Sequence, residues 1–267
     1  MMIFRLLLVI LLFVSYSSFG QVATTVLDMQ LQGKNQQDYS LFLSQNHVAN
    51  INKQQQLQEL YDRSSKTLYI LDHKQQQYRS FSTAKAKRYA DGIQAMFADF
   101  EKKIGQLPKD QRAKQIARLN KLFNGGKNTP PVKSQYSATK QQQELAGVGC
   151  ELYEIYEQEA LKGQTCVAEP NAIINGTGLL EMLQTMDSIY TLIVDSVQGK
   201  LHLNLPNNPM APLAKLGKIP LSIERHSSGL SMQLVSVTQS TVDEDFFSLP
   251  SGFTEVKDDM NKQPASR

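Results

Sequence analysis

Ala23-Thr24-Thr25-Val26-Leu27-Asp28-Met29-Gln30-Leu31-Gln32 is the stretch that decides the fold. Its odd positions are mostly apolar, and its later even positions (Asp28, Gln30 and Gln32) are polar. A period of two marks a strand with one buried face and one wet face. Gly33-Lys34-Asn35 breaks the pattern, and short runs follow at Tyr39–Leu43, Val48–Ile51, Thr67–Leu71 and Tyr78–Phe81. Polar turns such as Asp62-Arg63-Ser64-Ser65 separate them. Short strands with regular turn signals predict a β-meander over 22–82, part of an antiparallel sheet or barrel. Lys-Gln-Gln-Gln recurs from Lys53, Lys74 and Lys140 and reads as solvent-facing turns or strand ends.

The period changes at Ser82-Thr83. Tyr89, Ile93, Met96, Phe97, Phe100 and Ile104 recur three and four apart, which predicts an amphipathic helix capped by Ser82 or Thr83. Gly105 and Pro108 end it. A second helix should start near Lys109, with Ile116, Leu119, Leu122 and Phe123 on its apolar face and Asn124-Gly125-Gly126 as its stop. The two helices form a hairpin insertion at 83–124. Residues 83–127 hold eleven Lys or Arg against four Asp or Glu, a net charge of +7 on a chain whose total is +3. Lys114, Arg118 and Lys121 are the candidate basic interaction face. Such asymmetry suits an anionic membrane surface or an acidic protein partner, or simply a solvated helix face.

Strands resume near Gln135. Glu151–Tyr156 and Thr165–Ala168 read as a hairpin with Leu161-Lys162-Gly163 near its turn. A third helix is predicted over 177–194 with Thr177 as N-cap. Met182, Met186 and Tyr190 on its apolar stripe are candidates to line an adaptable hydrophobic pocket, and plain helical core is the alternative. Ile219–Arg225 and Leu230–Val237 flank a Ser227-Ser228-Gly229 turn, and Phe246, Phe247, Leu249 and Phe253 suggest a short aromatic terminal strand. The segment 257–267 is charged and is expected to be a disordered tail.

Residues 1–20 read as a signal peptide: Arg5, an apolar run Leu6–Val14, then small residues Ser18 and Gly20 ahead of Gln21. Cleavage between Gly20 and Gln21 would export the chain to a periplasm or beyond. An uncleaved N-terminal anchor is the alternative. No cysteine stands near residue 20, so no lipid attachment at a processed N-terminal cysteine is expected. In an oxidising compartment an isolated pair such as Cys150 and Cys166 closes one disulfide, whereas a redox pair needs closer spacing. The remaining 21–256 is read as a single β-rich domain.

Further pieces carry a resemblance. Gly147-Val148-Gly149-Cys150 is followed by Tyr153, Tyr156 and the second cysteine. Gly217-Lys218-Ile219-Pro220-Leu221 and Phe246-Phe247-Ser248-Leu249-Pro250-Ser251-Gly252-Phe253 come later, and Leu107-Pro108-Lys109-Asp110-Gln111-Arg112 lies between the halves. The set resembles an uncharacterised family of exported bacterial proteins distantly akin to the LolA/LolB lipoprotein carriers, over roughly residues 22–255. The resemblance implies an α+β fold: a highly curved, half-open antiparallel sheet with helices packed on its concave side, where the carriers accept acyl chains. No carrier motif aligns position by position, so no functional residue is carried over.

Catalytic and metal signatures are not found. His47, His73, His202 and His226 stand in no zinc motif, and the chain has neither C-x-x-C nor G-x-S-x-G. Asp72-His73 is a neighbouring acid and imidazole at a turn. The expectation is a non-catalytic periplasmic binding or carrier protein for a hydrophobic ligand, lipid or acyl chain, without cofactor and without nucleic acid. The alternative is an envelope protein-interaction or stress-sensing module acting through the basic hairpin. A hydrolase assembled only in three dimensions is the third reading.

Overall fold

The computed structural model describes residues 20–33, 37–124, 134–197, 211–226 and 229–256. The expected signal segment up to residue 19, the expected turn at Ser227 and Ser228, and the expected tail 257–267 lie outside the described residues. In chain order the elements are β1 (Gln21–Gln32), β2 (Gln37–Leu43), β3 (His47–Asn52), β4 (Leu57–Asp62), β5 (Thr67–Asp72) and β6 (Gln77–Phe81). Two helices follow, α1 (Thr83–Gly105) and α2 (Lys109–Asn124), then β7 (Ser134–Leu145), β8 (Val148–Glu157) and β9 (Ala160–Ala168). The chain continues through α3 (Gly176–Val197), α4 (Ala211–Leu216), β10 (Ile219–Arg225), β11 (Leu230–Asp243) and β12 (Thr254–Glu255).

All twelve strands form one unclosed sheet in the order β12-β6-β5-β4-β3-β2-β1-β11-β10-β9-β8-β7. Every pairing is antiparallel except β12 on β6. The first meander runs outward from β1 to β6. The second runs inward from β7, and its last long strand, β11, pairs with β1 along its whole length. β1 is therefore hydrogen-bonded on both edges, and Thr24, Thr25, Val26 and Leu27 are all buried. The period-two pattern describes the ends of β1, and its centre is covered on both faces.

Among the described residues, hydrophobic clusters form on this layering. The main core joins Leu27, Leu43, Val48, Tyr61, Ile219, Leu221 and Leu234 of the sheet to Leu179 and Met182 of α3. A second core, on Ala49, Ile51, Leu57, Leu60 and Leu71, is covered by Phe247 with Phe246, Leu249 and Phe253. A third joins Tyr153 and Val167 to Leu213 of α4. Each buried Leu or Ile is worth about 1.5–3 kcal/mol of transfer free energy.

Several expectations are corrected. The aromatic C-terminal segment is not a strand: Glu244–Phe247 is a 3-10 turn. It stacks Phe247 on His47 and tilts Phe246 against Phe42, so the rings cover a sheet face instead of extending one. The β8–β9 turn is at Gln158 and Glu159, both with positive φ (50° and 66°), not at 161–163. Gly163 lies within β9 because a Cβ there would meet the Glu224 carbonyl oxygen at 2.0 Å. Along α1 the buried line is Ala86, Ala90, Phe97 and Ile104, and Met96 is exposed. The two alanines let α1 approach α3, against which it packs. Ser82 caps α1 by accepting from the Lys85 amide at 3.2 Å.

The repeated tetrapeptides share a backbone reason. Gln55 and Gln76, each third in its repeat, take positive φ (58° and 50°) in the β3–β4 and β5–β6 turns. The third repeat falls within β7, where Lys140 (φ 62°) sits at an irregularity in the pairing with β8. Cys150 and Cys166 form a disulfide between β8 and β9, Cα–Cα 5.5 Å.

Candidate functional site

The site is built by the way α3 is seated on the sheet. Leu179, Met182, Leu183 and Met186 recur at three- and four-residue spacings, so they share one face of the helix. Asn175, in the left-handed conformation (φ 62°), precedes a helix that starts at Gly176, one residue before the predicted start at Thr177. Its side-chain amide donates to the Leu43 carbonyl at 3.2 Å. Gly176 and Gly178 permit close approach: a Cβ at Gly176 would meet the Pro170 carbonyl oxygen at 2.4 Å, and one at Gly178 the Arg63 Cδ at 3.0 Å.

Two polar contacts then fix the register of the helix on the sheet, and a third ties it to α4. Arg63 grips Glu181 with two bonds, Nε to Oε2 at 2.9 Å and Nη2 to Oε1 at 2.8 Å. That bidentate pairing holds the Glu181 carboxyl below its usual titration range. Tyr61, fully buried, hydrogen-bonds Thr185 through its hydroxyl at 3.0 Å. Gln184 donates to the Ala214 carbonyl at 3.4 Å, tying α3 to α4.

Between α3 and the sheet is a cavity of about 180 Å³. Its roof is the four-residue stripe of α3. Its floor is Leu27 and Met29 of β1, Tyr39 and Leu41 of β2, Ile219 to Leu221 of β10, and Met232 of β11. Asn50 of β3 and Glu59 of β4 complete one side. Four of the chain's nine methionines line it, and flexible, polarizable thioethers suit a surface that must adapt to its contents. A register of direct cross-strand partners explains the arrangement: Leu27 opposes Leu41, Leu41 opposes Asn50, and Asn50 opposes Glu59. All four therefore share the face beneath α3, apolar over β1 and β2 and polar over β3 and β4.

The polar side is electrostatically unusual. Asn50 Nδ2 donates to Glu59 Oε2 at 3.1 Å, which leaves Asn50 Oδ1 buried without a partner among the described residues. Tyr39 donates to the Met232 sulfur at 3.1 Å. Burial, reinforced by the negative charge of Glu59, pushes the Tyr39 hydroxyl up to about 12.

The candidate residues read from the sequence separate into groups. Met182 and Met186 line the cavity, while Tyr190, one turn further along α3, is not among its lining residues. Lys114 and Arg118 are exposed on α2, and the Lys121 side chain lies outside the described residues. Gly20 precedes β1 and accepts from the Glu244 amide at 3.0 Å. Tyr39, Asn50, Glu59 and Met232 are cavity residues the sequence reading did not single out. Asn50 and Glu59 had a legible signal: each is a polar residue in step with inward apolar neighbours, Val48 and Tyr61.

Elsewhere, an open polar groove of about 780 Å³ lies around the β5–β6 turn, lined by Asp72, His73 and Arg79 among others. Asp72 and His73 are each engaged by the local fold. Asp72 accepts from the Lys74 and Gln75 amides, and His73 Nε2 donates to the Leu57 carbonyl at 2.6 Å. Among the described residues no group of three or more His, Cys, Asp or Glu is placed to hold a metal ion. No described helix is long and apolar enough to cross a membrane. Compared with protein-family models, characterised proteins and solved structures, the chain matches none.

Proposed function

We propose that this chain is a non-catalytic binding protein for a hydrophobic ligand held between α3 and the sheet. The observation that carries the reading is the methionine-lined cavity: an apolar space under a helix whose position is fixed independently by polar contacts. A cavity of about 150 Å³ admits one benzene. The volume therefore suits a single ring or a chain of about six carbons, or the end of a longer acyl chain. We read the unclosed sheet as half-open and curved around α3, as in the LolA/LolB-like carriers. The main core supports this by joining strands from β5 to β8 around a single helix. The disulfide agrees with an exported protein processed at Gly20–Gln21 and working in the periplasm.

The test is native mass spectrometry of the protein purified from periplasm, with extraction of any bound mass. A stoichiometric apolar adduct, lost in Met186→Trp with the fold retained, supports the reading. A clean apo mass together with failure to bind a fluorescent fatty probe overturns it.

A second reading has its own observation. α2 is exposed at nearly every described position and carries Lys109, Arg112, Lys114 and Arg118. As a basic hairpin with α1 it would meet an envelope protein partner or an anionic membrane. Reversing Lys114, Arg118 and Lys121 should then abolish salt-sensitive co-sedimentation with anionic vesicles or a partner, and unchanged binding rejects this role.

A further inference from the structure

The polar side of the cavity is rich in acceptors. Asn50 Nδ2 gives one of its two hydrogens to Glu59 at 3.1 Å. That contact also sets the amide orientation, because only the NH₂ end can face a carboxylate. Asn50 Oδ1 is buried out of reach of the open space, so Glu59, which keeps further lone pairs, is the acceptor this pair presents to the cavity. The Tyr39 proton is directed to the Met232 sulfur at 3.1 Å, so the phenolic oxygen is free to accept. No Lys, Arg or His is among the lining residues. A carboxylate ligand would bring negative charge against Glu59 with no cation among the lining residues to offset it. A purely apolar ligand would cover Glu59 without giving it a hydrogen bond.

We propose that the cavity selects small apolar molecules that carry a hydrogen-bond donor, a hydroxyl or amine, and rejects carboxylates. The hydrocarbon part lies over Leu27 and Leu41 beneath Met182, and the donor reaches the Glu59 carboxylate, with the Tyr39 oxygen as a second acceptor. This rests on the cavity reading above and adds the chemistry of the ligand's polar end.

The probes are toluene, benzyl alcohol and benzoate, titrated into full mature protein carrying ¹³C-methyl methionine. Met29, Met182, Met186 and Met232 report occupancy of the cavity, and Met96 is an exposed control. Benzyl alcohol should shift the four cavity methyls with an affinity about tenfold or more above toluene, the effect of one buried hydrogen bond. Benzoate should not shift them. Glu59→Leu should erase the advantage of the alcohol and leave toluene binding in place. Glu59→Gln, which keeps shape and removes charge, should admit benzoate; it serves as the second variant if Glu59→Leu fails to fold. Binding of benzoate as tight as that of benzyl alcohol, or an alcohol preference that survives both variants, overturns the head-group proposal. If none of the three probes moves a cavity methyl, the cavity reading itself fails.

Discussion

Removing the Cys150–Cys166 bridge should destabilise the protein chiefly through its unfolded state, and the size of the effect can be worked from the structure. The bond spans a sequence separation of 16. Loop-closure entropy for such a loop amounts to about 3 kcal/mol at 25 °C. Both cysteines are buried in the main core, so replacing them by alanine deletes two packed sulfurs and adds roughly 1 kcal/mol. The Cys150→Ala/Cys166→Ala protein should therefore lose about 4 kcal/mol, equivalent to roughly 8–16 °C in Tm for a domain of this size. Wild type held in reductant keeps every sulfur and loses only the covalent constraint, so it should fall by about 3 kcal/mol. Urea unfolding followed by far-UV circular dichroism separates the two. The m-value should rise once the denatured chain is freed of the cross-link. A reduced wild type within about 1 kcal/mol of the oxidised protein, at unchanged m, would refute the reasoning. It would mean that residual β8–β9 pairing closes the loop in the denatured state without the bond.

Other outcomes follow from single contacts. Gly163→Ala forces a Cβ onto the Glu224 carbonyl and should cost about 2 kcal/mol or more, whereas Gly149→Ala, with nothing within 4 Å, should melt with wild type; equal melting temperatures would sink the steric account. Tyr61→Phe removes the bond to Thr185 and should cost about 1 kcal/mol and loosen α3, read as faster amide exchange in that helix; unchanged exchange would show that the bond does not hold it. Glu181→Gln tests the grip of Arg63 on α3. Because the folded Glu181 is held below the ordinary 4.5, its contribution is complete above that pH and is lost as pH falls from there toward the depressed value. The stability gap between wild type and Glu181→Gln should be about 0.5–1 kcal/mol at pH 7, discounted for partial exposure, and should close in acid; a gap that does not narrow contradicts the ion pair.

Much of the scaffold was legible because strand and helix periods are local. Five strands of the first meander, β1, β2, β3, β5 and β6, follow alternation and turn residues, and α1 and α3 follow three- and four-residue spacing; β4 and the short α4 carry neither pattern and were not legible. The misreadings have a common cause. Gly163 looks like a turn residue, but it is required by the approach of β10, sixty residues away in sequence. Phe246 and Phe247 look like strand residues, but they are used as a lid on β3 to β5, a role visible only once those strands are in place. Met96 belongs to the apolar spacing of α1 yet is exposed, because the alanines on the neighbouring line set which face meets α3.

The sequence by itself determined most of the strands, the three long helices, the concentration of positive charge in 83–127 and the pair of cysteines available for a bridge, since these depend on neighbours within a few residues. Only the tertiary structure decided that β11 returns to β1 and that Asn50 and Glu59 stand in one cross-strand row with Leu27 and Leu41. The polar side of the cavity exists for that reason. Its groups come from β2, β3, β4 and β11, and cross-strand register, which no local pattern encodes, brings them under one helix.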